Sequence, residues 1–185
     1  MLLPETRRPS VAPTQPVVVA MTSEPRMKSV VVGIGSMVVS DSSNETLVTY
    51  SLGSCLGVTF YDPVLRIGGM IHCMLPLSRI DGDKAREKPC VFVDMGVPML
   101  IEAMFQRGCR KKDMITRVAG AARVMDSANY FRIGERNHAV FRKIMWKNGM
   151  FIQAEDIGGD QARTLQLEIA TGRVVVQSQG QRRDL

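Results

Sequence analysis

The chain has 185 residues, 45% hydrophobic and 23% charged, with a net charge of +6, a size and balance that fit one domain with a core that needs no staples. Four cysteines without a CxxC pair and only two histidines argue against a zinc module, and the longest apolar stretch, around Val30 to Val39, is broken by glycine and serine and is too short to span a bilayer. The densest basic run, Arg107, Arg110, Lys111 and Lys112 with Arg117, lacks interleaved aromatics, so the charge argues against nucleic-acid binding and suits an acidic protein partner at least as well.

Residues 1–27 read as a tail: five prolines mix with Thr, Ser and Arg, and no amphipathic period emerges. Met1-Leu2-Leu3 runs straight into Pro4 and Glu5, so a secretory leader is not expected and reduced cysteines in the cytoplasm are. Order begins near Lys28, where Ser29 to Gly35 forms a β-branched strand that Val38-Val39 continues, and Asp41-Ser42-Ser43-Asn44 makes a polar turn. A second strand spans Glu45 to Leu52 and ends at the Gly53-Ser54-Cys55 turn. Leu56 to Tyr61 follows, stopped by Asp62-Pro63, and Arg66 to Leu75 returns beside it. Ser78 to Pro89 is so charged that it reads as a loop.

The period then changes. Val97, Leu100, Ile101, Met104 and Phe105 share one face of a helix from Asp94 to Gln106, with Gly108 as its C-terminal cap. Ile115 to Ala122 is a strand, and Glu135 to Asn148 a second helix with Val140, Phe141, Ile144 and Met145 inward and Gly149 ending it. Three short strands follow, Met150 to Ala154, Thr164 to Ile169 and Arg173 to Gln177, the last two joined at Thr171-Gly172. Residues 179–185 read as a frayed end, leaving 28–178 as the folded domain. Many strands with two main helices and no βαβ alternation predict an α+β fold. Thirteen methionines suit an adaptable core.

The residues that carry chemistry lie in one stretch. Cys55 sits on a glycine-containing turn, open to a substrate and within reach of backbone N–H groups that stabilise a thiolate or an oxyanion. A thiol nucleophile needs a base, and His72 is 72 − 55 = 17 residues on, across the expected hairpin. Its unperturbed pKa near ~6.5 suits proton exchange. The plain alternatives are a buried cysteine acting as a small hydrophobe, the commoner fate of a lone cysteine, and a core histidine bonded to a backbone carbonyl. Three hydroxyls, Thr49, Ser51 and Ser54, compete to hold the second imidazole nitrogen, and side-chain chemistry does not choose among them. Cys73, Cys90 and Cys109 read as packing, and His138 as surface or packing. Ile133-Gly134-Glu135-Arg136-Asn137 and Asp156-Ile157-Gly158-Gly159-Asp160 lack the spacing of a phosphate loop or a calcium loop. They read as turns or helix starts, with Arg136 and Asn137 free to cap a loop or meet a partner.

The blocks Ser51-Leu52-Gly53-Ser54-Cys55, Tyr61-Asp62-Pro63, Ile67-Gly68-Gly69-Met70-Ile71-His72 and Leu75-Pro76, then Ile133 to Asn137, Asp156 to Gly159 and the Thr171-Gly172 hairpin, resemble in that order the CheD family of bacterial chemotaxis proteins, which are chemoreceptor glutamine deamidases. The resemblance covers residues 28–178. It implies a compact three-layer α/β/β sandwich, related to the deamidase domain of cytotoxic necrotising toxins, with mixed and antiparallel sheets and two main helices. Carried over by position, it makes Cys55 the nucleophile, His72 the catalytic histidine and Thr49 its support. It further implies hydrolysis of receptor glutamine side chains through a Cys55 thioester, no metal or organic cofactor, a cytoplasmic monomer, and a CheC-type phosphatase as a possible docking partner. A regulatory binding module with little catalysis, and a thiol esterase acting on receptor methyl esters, are the rival readings. Arg123, after Gly120-Ala121-Ala122, departs from the small or apolar run that the resemblance leads one to expect.

Overall fold

The computed structural model describes residues 27–123 and 132–185; the expected tail, apart from Met27, lies outside them. In chain order the elements are β1 (Lys28–Val31), β2 (Met37–Ser40), β3 (Glu45–Leu52), β4 (Leu56–Asp62), β5 (Ile67–Cys73), α1 (Gly82–Glu87), α2 (Val93–Gln106), β6 (Ile115–Gly120), α3 (Ile133–Lys147), β7 (Ala154–Ile157), β8 (Arg163–Glu168), β9 (Val174–Ser178) and β10 (Gln181–Asp184). The strands form two five-stranded sheets. The outer sheet runs β1-β3-β8-β9-β10 and the inner sheet β2-β5-β4-β6-β7, antiparallel except for the parallel pairs β1/β3 and β6/β7.

Strand alternation decides which sheet face each residue serves. On β5, a side chain placed at Gly69 would run into Leu100 and Met104 of α2, whereas one at Gly68 would run into Leu167 and Ile169 beside the outer sheet. Odd positions of β5 therefore face the helices and even positions face the outer sheet. Two cores result. Leu56, Val58, Phe60, Ile71 and Cys73 pack with Val97, Leu100 and Met104 of α2 and Phe141 and Met145 of α3. Leu47, Leu52, Tyr61, Met70, Leu165, Leu167 and Val176 fill the space between the sheets. The layers are helix, sheet, sheet: the α+β, α/β/β arrangement expected from the resemblance.

The local reading misplaced five features. Val38-Val39 does not continue β1: the chain turns at Ile34-Gly35 and crosses from the outer to the inner sheet, with Gly35 at φ +69°. Ser78 to Pro89 contains a 3-10 turn and α1, whose N-cap Asp81 accepts from the Lys84 N–H and whose Ala85 is buried. Phe105 points partly outward at 38% exposure. The strand expected at Met150 starts only at Ala154, because residues 150–153 bridge from α3 to the sheet and Gln153 bonds to Thr116 instead.

The end expected to fray is strand β10. Gln179 and Gly180 both take positive φ (50° and 77°) and form a two-residue hairpin turn, after which Gln181–Asp184 pairs with β9. Asp184 then meets the Arg173 guanidinium at 2.8 Å.

Candidate active site

The local hairpin brings two of the sequence-selected residues together. In the β4/β5 register Gly57 stands opposite His72 and Leu56 opposite Cys73. The imidazole takes the even-numbered side of β5, between the sheets, and is 1% exposed. Its direct neighbour Gly57 has no side chain to compete for that space. Cys55, two residues before Gly57, packs against the same inter-sheet core and is half-buried. Cys55 thus stands just before β4, on the inter-sheet side that His72 also faces.

The third residue arrives from the other sheet. Thr49 on β3 is fully buried, and its Oγ1 lies 2.7 Å from His72 Nδ1 and 2.7 Å from the Val32 carbonyl. A hydroxyl has one hydrogen. With that hydrogen donated to the Val32 oxygen, Oγ1 accepts from Nδ1–H, so the imidazole carries its proton on Nδ1 and its lone pair on Nε2. Among the described residues Nε2 has no hydrogen-bond partner, so no bond yet joins it to the Cys55 thiol. Burial pushes the His72 pKa down to about 4 and the Cys55 thiol up, the latter partly offset by its own backbone N–H. The resting pair is a neutral thiol and a neutral imidazole.

Ser51 does not approach the imidazole. Between Thr49↔Leu165 and Leu52↔Arg163 the β3 strand advances three residues while β8 advances two, so β3 carries a bulge, with Ser51 at φ 57° and exposed. The extra residue keeps both Thr49 and Leu52 pointing between the sheets and leads the chain into the Gly53-Ser54-Cys55 turn. Ser54 has no bond to His72 either; it contributes its carbonyl elsewhere.

Remote segments hold the Cys55 turn, contacts that the sequence reading does not contain. Ala121 N–H donates to the Cys55 carbonyl at 2.7 Å and Ala122 N–H to the Gly53 carbonyl at 2.8 Å. Gly120, at φ +114°, permits this approach: a Cβ there would lie 2.2 Å from the Cys55 oxygen. Gly158 N–H in turn bonds the Gly120 carbonyl at 2.9 Å, and Asp156 pairs with Arg163 at 3.0 Å and Arg183 at 2.7 Å. The Asp156 to Asp160 block is therefore a brace. Among the described residues no backbone carbonyl accepts from the N–H of Ser54 or Cys55, and the Cys55 N–H faces its own thiol.

Asn137 completes the frame. It is fully buried on α3, and its Nδ2 donates to the carbonyls of Ser54 (2.9 Å) and Met74 (3.0 Å). One amide thus ties the turn before Cys55 to the chain just after His72. Gly134, one turn earlier, lets α3 rest against Ala121, whose carbonyl oxygen would be 2.5 Å from a Cβ. The available signal was a lone polar residue on the inward stripe Gly134-Asn137-Phe141-Met145. Arg123 is exposed, its guanidinium on Glu135 at 3.3 Å and its N–H on the Gly159 carbonyl. Cys73, Cys90 and Cys109 are buried, and His138 meets Glu155 at 2.9 Å. Among the described residues no cluster of three or more His, Cys, Asp or Glu is placed to hold a metal ion, and no helix is long and apolar enough to cross a membrane.

Residues 74–178 match the family described as CheD chemotactic sensory transduction. The protein of Syntrophus aciditrophicus named "probable chemoreceptor glutamine deamidase CheD 1" is 47% identical over 154 residues, 83% of this chain and 96% of that one. Relatives of the same description from Solibacter usitatus and Anaeromyxobacter dehalogenans are 42% and 40% identical, covering 86% and 82% of this chain and 94% and 96% of theirs. Among solved structures, the hypothetical protein YfiH of Bacillus licheniformis superposes with a TM-score of 0.42 at 15% identity, over 73% of this chain and 61% of that one, too loosely to bear on the site. At these identities, over nearly the whole length of the relatives, this chain belongs to the CheD family.

Proposed function

We propose that this chain hydrolyses glutamine side chains of chemoreceptors to glutamate and ammonia, with Cys55 as nucleophile, His72 as general base and acid, and Thr49 as the group that orients the imidazole. The names of the relatives support the substrate class and the reaction. The observation that carries the roles is the Thr49 hydroxyl between the Val32 carbonyl and His72 Nδ1, which leaves a buried, unpartnered Nε2 lone pair on the face that Cys55 shares.

The chemistry follows from a neutral resting pair. As Sγ attacks the carboxamide carbon, its proton passes to Nε2, and the imidazolium formed beside the developing charge is stabilised by it despite burial. The N–H groups of Ser54 and Cys55 receive the oxyanion. Imidazolium then protonates the departing nitrogen, ammonia leaves and a thioester remains. Water, deprotonated by Nε2, attacks the thioester carbon; the C–S bond breaks, the thiol regains its proton and glutamate is released. No step calls on a metal or an organic cofactor.

Incubating a receptor cytoplasmic fragment with the protein should raise its intact mass by about one dalton per site and release one equivalent of ammonia. Full activity in Cys55→Ala refutes the reading, and methanol release from a methylated fragment without ammonia replaces it with esterase activity. A cytoplasmic receptor fragment as substrate supports a cytoplasmic location; a monomer is expected, and light scattering checks its mass. Docking of a CheC-type phosphatase is a separable property, measured by binding to Cys55→Ala.

A further inference from the structure

α3 buries Gly134, Asn137, Phe141 and Met145 and turns its opposite side to solvent. That outer side carries Arg136, Arg142, Lys143 and Lys147, all exposed, and Trp146, which is 79% exposed. Past the turn at Asn148-Gly149, Phe151 is 82% exposed. Met150 N–H returns to the Met145 carbonyl at 2.9 Å and Gly149 N–H to the Trp146 carbonyl at 3.0 Å, so the two aromatic residues flank one tight turn. Lys111 Nζ bonds the Asn148 carbonyl at 2.8 Å and brings Lys112 to the same end.

The charges here are unbalanced. Among the described residues, neither Arg136, Arg142, Lys143 and Lys147 nor Lys112 has an ion-paired acid. The acids on neighbouring segments are already engaged: Glu135 by Arg123 and Arg132, Asp113 by Arg110, Glu155 by His138. A cation in the last turn suits the helix dipole, which accounts for Lys147 and not for the others. Nor does helix formation ask for a tryptophan in water.

We propose that the outer face of α3 is a docking surface for an acidic segment of the polypeptide substrate, with Trp146 and Phe151 as apolar anchors and Arg142, Lys143, Lys147 and Lys112 as the surrounding cations. An aromatic centre in a charged rim is the anatomy of a protein interface. A membrane-surface helix would present a broad apolar face, and the apolar face of α3 is spent on the core. Non-specific single-strand binding runs along a groove, and this surface is a helix standing out from its sheet. The position also fits. Asn137, which touches the nucleophile turn, and Trp146 are nine residues apart on one helix, about 14 Å along the axis. The two side chains lie on opposite sides of the helix, which is about 10 Å across, so a polypeptide passing around it from one to the other needs about seven extended residues.

The inference rests on the receptor-deamidase reading, and its test separates the two. Trp146 is the only tryptophan, so its emission reports docking directly. Adding a receptor cytoplasmic fragment to the Cys55→Ala protein should shift the emission to the blue saturably, with weaker affinity as salt rises. Trp146→Ala combined with Lys143→Glu should raise KM for the fragment about tenfold, the loss of one hot-spot contact. Its kcat, and kcat/KM on a short glutamine peptide, should stay within about twofold of wild type. An unchanged KM, or no emission shift on fragment binding, overturns the docking surface while deamidation stands. A shift produced by phosphatidylglycerol vesicles or an oligonucleotide, and not by the fragment, overturns the choice of partner. A saturable shift with no ammonia from either substrate keeps the docking and removes the deamidase reading.

Discussion

Asn137→Ala deletes an amide that donates to two carbonyl oxygens, those of Ser54 at 2.9 Å and Met74 at 3.0 Å. Asn137 is completely buried, so solvent does not replace it at the helix. An acceptor stranded this way costs about 1–3 kcal/mol, and two of them with a small residual cavity put the loss at about 2–5 kcal/mol. That is a large share of the ~5–15 kcal/mol that holds a domain together. Because the two carbonyls flank Cys55 and His72 in the chain, the same change loosens the proposed nucleophile against the proposed base. A displacement on the order of 1 Å can cost about 10²-fold in rate, so kcat should fall by about 30- to 100-fold. Asn137→Asp is the discriminating companion. It keeps volume and shape but turns acceptor oxygens toward two acceptors, so at neutral pH it should be at least as damaging as alanine. Urea denaturation and ammonia release on both variants make the measurement. An aspartate variant within about 0.5 kcal/mol of wild type and with wild-type kcat would refute the bridge as a determinant of either property.

The remaining predictions concern the imidazole and the turn. His72 is held near pKa 4 in the fold against about 6.5 in the unfolded chain, so between those values the unfolded state binds the extra proton and stability rises with pH. The contribution is complete above about pH 6.5 and lost as pH falls toward 4, about 3 kcal/mol in all; His72→Asn should lose that slope in urea midpoints measured from pH 4.5 to 7.5, and an unchanged slope counts against a buried neutral imidazole. Thr49→Val keeps the branched shape but strands Nδ1–H and the Val32 carbonyl, so kcat should drop by about 10²-fold, with Thr49→Ser restoring most of it. Activity in the valine variant equal to that of serine would remove the hydroxyl from the mechanism. Gly120→Ala drives a methyl against the Cys55 carbonyl at a backbone φ of +114°. It should cost about 3 kcal/mol or more and nearly abolish turnover, whereas Gly180→Ala, at φ +77° with open space around it, should lower stability modestly and leave kcat alone.

How much of this was legible depended on the range of the contact. Residues 45–75 were readable because each strand declares its face by alternation and each turn by its Asp, Pro or Gly, and the Cys55–His72 proximity is a property of that single hairpin. The strand errors have physical causes. β2 reads as a continuation of β1 because a sheet-to-sheet crossing at Gly33 to Gly35 looks, in one dimension, like a glycine inside an apolar run. β10 reads as a frayed end because Gln181–Asp184 is fully polar, and nothing local announces that β9 offers it a free edge and Arg173 a partner. Met150 to Ile152 looked like a strand start, although Phe151 faces solvent.

Thr49 belongs to a different category. Residue chemistry left it level with Ser51 and Ser54, and the family resemblance singled it out. The physical basis for the choice is a bond between sheets: Thr49 and His72 meet only because β3 and β5 pack face to face, and the bulge at Ser51 withdraws the nearest competitor. Asn137 lies farther still, 137 − 55 = 82 residues from Cys55, and the sequence names it only as a residue free to cap a loop or meet a partner, without saying which loop. The proposed reactive groups Cys55 and His72 come from one short segment, but their surroundings are fixed by β3, the Gly120–Ala122 strand end and the first turns of α3. Substitutions in those distant segments should therefore damage the chemistry without touching a reacting atom. A sequence comparison confined to the Cys55–His72 block would not anticipate that loss.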